Sequence, residues 1–215
     1  MTESEIIALI QTEIEKKDWG FTEQFLEIHS PVGIDNIIKI ENIITANNEA
    51  TVYLPIAGER FYLTFYIDLI KKEIFGISTE PYISVYFRAT SENLSSDELK
   101  KHTKLAVTES WNKGAIRKTG KGNYGFSSII IDITKTPDTF ETKLNELISE
   151  LENDRDGIKK LSELADGYIQ VFMEFHNGNG LIGGPNLSKE MIQKLSEMNL
   201  SIDFDLAVSG KQFIS

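Results

Sequence analysis

The chain has 215 residues, of which 40% are hydrophobic and 26% charged, with no cysteine and a formal net charge of −11. That length supports a sizeable core in one large domain or two small ones, while the lack of cysteine excludes disulfides, thiolate nucleophiles and thiolate metal ligands. So acidic a surface repels phosphate backbones and argues against nucleic-acid binding.

The acidic opening Met1-Thr2-Glu3-Ser4-Glu5 lacks the positive charge and apolar run of a secretory signal. No apolar run approaches the roughly 18 residues of a membrane span, so the expected setting is the cytoplasm, away from membranes. The charge is unevenly spread: residues 1–80 carry a net −8 and residues 81–215 a net −3. The plain meaning is solubility; the sharper one is an acidic face for a basic partner.

Residues 4–17 are expected to form an amphipathic helix, with Ile6, Ile7, Ile10 and Ile14 on one face. Thr2 to Glu5 fits a capping box, and Trp19-Gly20 closes the helix. After an irregular stretch come four β-rich runs, Ile37–Ile44, Ala50–Pro55, Arg60–Ile67 and Glu73–Ile77, joined by short polar or glycine-bearing links. Such links join antiparallel neighbours. The first 80 residues therefore read as a helix plus an antiparallel meander.

The pattern resets around Thr79-Glu80-Pro81, and Pro81 suits a strand start or a linker. The expected division is into two domains, 1–80 and 81–215, the alternative being that Pro81 joins two parts of one continuous sheet. Tyr82–Arg88 reads as a strand. Ser95 caps a helix with Glu98 as its capping-box partner. A hairpin is expected from Ala115–Thr119 to Phe126–Thr134, turning through Gly120-Lys121-Gly122-Asn123. Thr136-Pro137 opens a helix with the stripe Phe140, Leu144, Leu147, Ile148 and Leu151. Gly157 breaks it, and Ile158–Ala165 continue as a second piece. Tyr168–Phe175 is a strand, Ser188 caps another helix, and Leu200–Val208 is a final strand in which Ile202, Phe204, Leu206 and Val208 alternate with Ser201, Asp203, Asp205 and Ala207, the first three supplying a core face. The fold class is α+β: the N-terminal module, then a ferredoxin-like βαββαβ unit extended by one helix and one strand, its helices on one face.

The strand end Tyr86-Phe87-Arg88, the helix start Leu94-Ser95, the turn Thr108 to Gly114 with Trp111 and Lys113, and the terminal Ile202-Asp203-Phe204-Asp205 carry a resemblance. At these motifs the chain resembles a bacterial family catalogued as domain of unknown function 4279, over about residues 81–208. The resemblance implies no activity and no catalytic residues. One departure is Phe126-Ser127-Ser128, in a strand where members of the family often carry a tryptophan. Residues 1–80 lie outside it.

The three histidines, His29, His102 and His176, show no HxH or HExxH spacing. They read as surface or locally bonded residues, and no metal site or cofactor is expected. Asp203 and Asp205, at i and i+2 on a strand, point to one side. They suit either a solvent face or, joined by Asp132, a cation site. The stretch Lys113 to Gly125 holds four cations, four glycines and no acid. It reads either as a flexible hairpin whose lysines protect a sheet edge or as a site for an anion or acidic partner. That site would use Lys113, Arg117, Lys118 and Lys121, with Trp111 and Tyr124 as flat contact surfaces. The glycine-rich loop His176 to Asn186 lacks the GxGxxG order of a dinucleotide site and reads as a connector, the alternatives being anion binding at the start of the following helix and a contact tip at Leu181-Ile182. No nucleophile elbow or triad order stands out.

The leading expectation is a non-enzymatic, cytoplasmic protein-binding module with a protein partner, of the kind in which an immunity protein neutralises a toxin or effector. The rivals are a small-ligand-binding or cation-dependent enzyme using Asp132, Asp203 and Asp205 or the basic hairpin, and a structural subunit of a larger assembly.

Overall fold

Thr2 and Ser95 each accept a hydrogen bond from the backbone N–H three residues on, while the Glu5 and Glu98 carboxylates accept one from the cap residue's own N–H. These reciprocal bonds satisfy orphan amides at the helix starts. The computed structural model describes residues 1–34, 37–179 and 182–213. Helix α1 spans Glu3–Lys16 and buries Ile6 and Ile10. It is followed by helix α2, Thr22–Ile28, in the stretch expected to be irregular. Its anchor is the buried Glu13, whose Oε1 accepts from the Trp19 N–H at 2.9 Å and the Thr22 hydroxyl at 2.5 Å. A lone glutamate on a helical face gives no sequence signal of this kind.

Strands β1 (Gly33–Ile34) and β2 (Ile37–Ile38) form a small ribbon. Strands β3 (Asn42–Ala46), β4 (Glu49–Pro55), β5 (Tyr62–Asp68) and β6 (Glu73–Glu80) form an antiparallel meander in chain order. The run Ile37–Ile44 is thus divided between two sheets rather than forming one strand. Val52, Leu54, Phe61, Leu63, Phe65 and Ile67 fill a core with Ile6 and Ile10.

The second part contains β7 (Tyr82–Ser91), α3 (Ser96–Lys100), β8 (Glu109–Trp111), β9 (Ser127–Ile131), α4 (Phe140–Glu152), α5 (Arg155–Leu164), β10 (Asp166–His176), α6 (Lys189–Glu197) and β11 (Ser201–Ser209). The sheet order is β11-β10-β7-β9-β8. Without β11 this is the 4-1-3-2 arrangement of a ferredoxin-like unit, antiparallel throughout. Strand β11 extends it by pairing parallel to β10, the connection passing through α6. Ile83, Val85 and Phe87 alternate toward the helices and share a core with Ile169, Val171, Leu144, Leu147, Leu151, Ile158 and Leu161. This core and that of the meander share no residue.

Several boundaries differ from expectation. The strand opposite β9 is the short β8, in the stretch expected to be a turn; residues 115–119 are not a regular strand but keep one bridge, Ile116 to Asn123. Helix α4 starts after Thr139, which accepts from the Thr142 N–H, so Pro137 lies before the cap. The α4–α5 break falls at Asn153-Asp154, not at Gly157. Buried Asp154 accepts there from the Thr103 hydroxyl at 2.9 Å and the Lys104 N–H at 2.7 Å. Gly157 lies inside α5, where a Cβ would come within 2.3 Å of Asp154 Oδ2 and 2.5 Å of the His102 carbonyl. Gly180 and Leu181 of the glycine-rich loop lie outside the described residues. Among the described residues no helix is long and apolar enough to cross a membrane.

Candidate functional site

Three surfaces hold the residues singled out by sequence. The first is the basic hairpin. Its backbone bonds, Gly114 N–H to Tyr124 O at 2.8 Å, Tyr124 N–H to Ala115 O at 2.9 Å and Arg117 N–H to Gly122 O at 3.0 Å, prolong the β8–β9 pairing. Trp111 and Tyr124 stack at 4.7 Å with 20° between their planes. The guanidinium of Arg88 lies over Trp111 at 5.3 Å and Phe126 at 5.1 Å, and that of Arg117 lies 6.0 Å from the Tyr124 ring centre. Lys113 reaches Glu92 at 3.3 Å, and Lys118 reaches Glu109 at 2.6 Å. The four cations are therefore not a free positive cluster. Two are neutralised by acids that lie outside the Lys113–Gly125 window, and Arg117 rests against an aromatic ring. Trp111 and Tyr124 spend a flat surface on each other. Lys121 is exposed.

The second surface is the sheet face away from the helices. Register places Asp203 beside Gln170, and Gln170 beside Tyr86; Asp205 lies beside Phe172, and Phe172 beside Ser84. The Gln170 amide donates to Asp205 at 3.2 Å. Asp132 follows the end of β9, which two strands separate from β11. Strand spacing puts it roughly 14 Å away. The expectation that Asp132 joins Asp203 and Asp205 in one cation site is corrected by this register. Among the described residues no group of three His, Asp or Glu side chains is placed to hold a metal ion.

Strand β11 itself is the third surface. Among the described residues it has one neighbour, β10, and its other edge is unpaired over Ser201–Ser209. Ile202 and Phe204 pack on the core, but Leu206 is 58% and Val208 55% exposed. The expected alternation along the strand holds through Asp205 and reverses from Leu206 on, where Leu206 and Val208 are exposed and Ala207 and Ser209 partly buried. Beside its start, a groove of about 560 Å³ is lined by Leu187, Ile192, Leu195 and Ile202.

Two of the three histidines also depart from expectation. His29 and His176 are 2% and 1% exposed and in ring contact between the two parts of the chain. Their separation of 147 positions along the sequence hides this. No spacing motif flags it.

The model of the family described as Domain of unknown function (DUF4279) matches residues 80–209. No curated protein and no solved structure matches the chain. The matched residues run from the end of β6 to the end of β11, the whole five-stranded sheet and its helices, and on that extent the chain belongs to the DUF4279 family.

Proposed function

We propose that this protein is a non-enzymatic protein-binding module that accepts an extended, basic segment of a partner along the free edge of β11. The observation that carries the reading is the long open edge with two unlike faces. Leu206 and Val208 offer apolar contact on one side. Asp203 and Asp205 offer charge on the other. Strand addition draws affinity from main-chain hydrogen bonds and specificity from alternate side chains. Soluble proteins usually shorten, cover or charge such an edge. The opposite edge, β8, fits that rule with three residues.

Charge selects the occupant. A second copy paired about a two-fold axis would bring Asp203 and Asp205 of both copies onto one face, and like charges on adjacent strands are destabilising. A basic segment meets the same carboxylates favourably, and the net charge of −11 speeds its approach. A toxin or effector neutralised by a cytoplasmic immunity protein is the form of partner we favour, since an acidic inhibitor suits a basic target by charge complementarity. The test has two arms. The purified chain should sediment as a monomer at micromolar concentration; a dimer would assign the edge to a second copy. A tagged chain should retain one stoichiometric basic protein from its native cells, and the paired change Asp203→Lys and Asp205→Lys should abolish retention. Equal retention by both forms would overturn the reading.

A further inference from the structure

Between β5, β7 and the start of α4 lies a cavity of about 330 Å³, walled by Tyr62 and Tyr82. It is distinct from the β11 edge. Lys143 on α4 lines it and is 2% exposed. Its ammonium donates to the Thr136 carbonyl at 2.6 Å, which uses one of its three N–H groups. Asp132 and Thr134 line the same cavity, and Asp132 Oδ1 and Thr134 Oγ1 are buried without a hydrogen-bond partner among the described residues. A buried cation and a carboxylate thus share a cavity without closing on each other. Burial pushes the carboxyl of Asp132 up and the ammonium of Lys143 down, against the opposing pull of Lys143 and Lys135 on the carboxyl and of Asp138 and Asp132 on the ammonium. Buried polar groups in native proteins are nearly always satisfied, so two orphan oxygens beside an underused ammonium call for an occupant.

We propose that the cavity binds a small zwitterion, a free α-amino acid. Its ammonium group donates to Asp132 Oδ1, and its carboxylate accepts from Lys143 Nζ and the Thr134 hydroxyl. Its side chain lies against the Tyr62 and Tyr82 rings. A ligand with one charge would leave the opposite protein charge unpaired; a zwitterion answers both. Exposed Lys135, at the cavity rim, adds attraction for the carboxylate end. Because Tyr62 belongs to the meander and Tyr82 to the larger sheet, occupancy also ties the two parts together.

The experiment is calorimetric titration of the full chain with each of the common L-amino acids. At least one should bind saturably with one site. Its N-acetyl and its carboxamide forms should each bind about tenfold to a hundredfold more weakly, the range of one lost charge-assisted hydrogen bond. Lys143→Met also removes the bond from α4 to the Thr136 carbonyl, so the near-isosteric Asp132→Asn and Thr134→Val carry the test. Both should fold with the parent circular dichroism spectrum and weaken binding, Asp132→Asn mainly for the free amine and not for the N-acetyl form. Absence of saturable binding across the panel, or equal affinity for blocked and free amino acids, would overturn the proposal and leave ordered water as the occupant.

Discussion

The rings of His29 and His176 meet edge to face with centroids 4.4 Å apart, at the seam between the meander and the five-stranded sheet. Phe61 packs on both, and Phe25 and Phe213 enclose them. His176 is fixed through Nε2 to the Lys211 carbonyl at 2.6 Å, while His29 Nε2 is buried without a partner among the described residues. Gly210, at φ +84°, lets the chain pass here: a Cβ would lie 2.7 Å from the Phe61 ring.

This contact makes stability depend on pH. Burial, and then the neighbouring His176 and Lys211, lower the His29 pKa from 6.5 to about 4. A depressed histidine is neutral when folded, whereas the unfolded chain takes up a proton below about 6.5. The unfolded state therefore binds more protons between about pH 6.5 and 4, and stability falls as pH drops through that window. The loss reaches at most about 3 kcal/mol. The urea midpoint should decline from pH 7 to pH 5 in the parent and decline less in His29→Phe. Identical slopes would show that His29 titrates normally.

Leu147 is fully buried on the α4 stripe among β7 and β10 side chains. Leu147→Ala should lower stability by about 2–5 kcal/mol, read as a shift in the urea midpoint. An unchanged midpoint would contradict the packing of α4 on that sheet.

The hairpin separates charge from packing. Lys118→Glu replaces an exposed ion pair with Glu109 by repulsion and should leave the urea midpoint nearly unchanged, because such pairs contribute little. Trp111→Ala removes the Tyr124 stack and the Arg88 contact and should lower stability by roughly 1–3 kcal/mol. A larger effect from Lys118→Glu than from Trp111→Ala would reverse this account of the loop.

Much of the architecture was legible because it rests on local signals. Thr2, Ser95 and Ser188 announced helix starts through side chains that reach only three residues. The α4 stripe and the alternation in β7 announced their buried faces. What was hidden depends on contacts distant in sequence. Glu13 organises α2, Asp154 at the α4–α5 break is held by Thr103 and Lys104 some fifty residues away, and β8 takes its place from β9 rather than from its own three residues. The site residues show the same division. The sequence put Asp203 and Asp205 on one face, but strand order decided their distance from Asp132. Composition exposed four cations, but only the fold supplied Glu92 and Glu109. The Asp132–Lys143 cavity gave no motif, since its members come from a loop and a helical position that reads as solvent-facing.

The most direct measurement of the central claim is site-specific photo-cross-linking in the native cell. A benzophenone amino acid replaces Val208, on the open edge, or Ile70, a still more exposed residue in the β5–β6 turn. The account predicts a single adduct with one basic protein from position 208, none from position 70, and loss of the adduct when Asp203 and Asp205 are both changed to Lys. No adduct at position 208, or the same adduct from both positions, would contradict it.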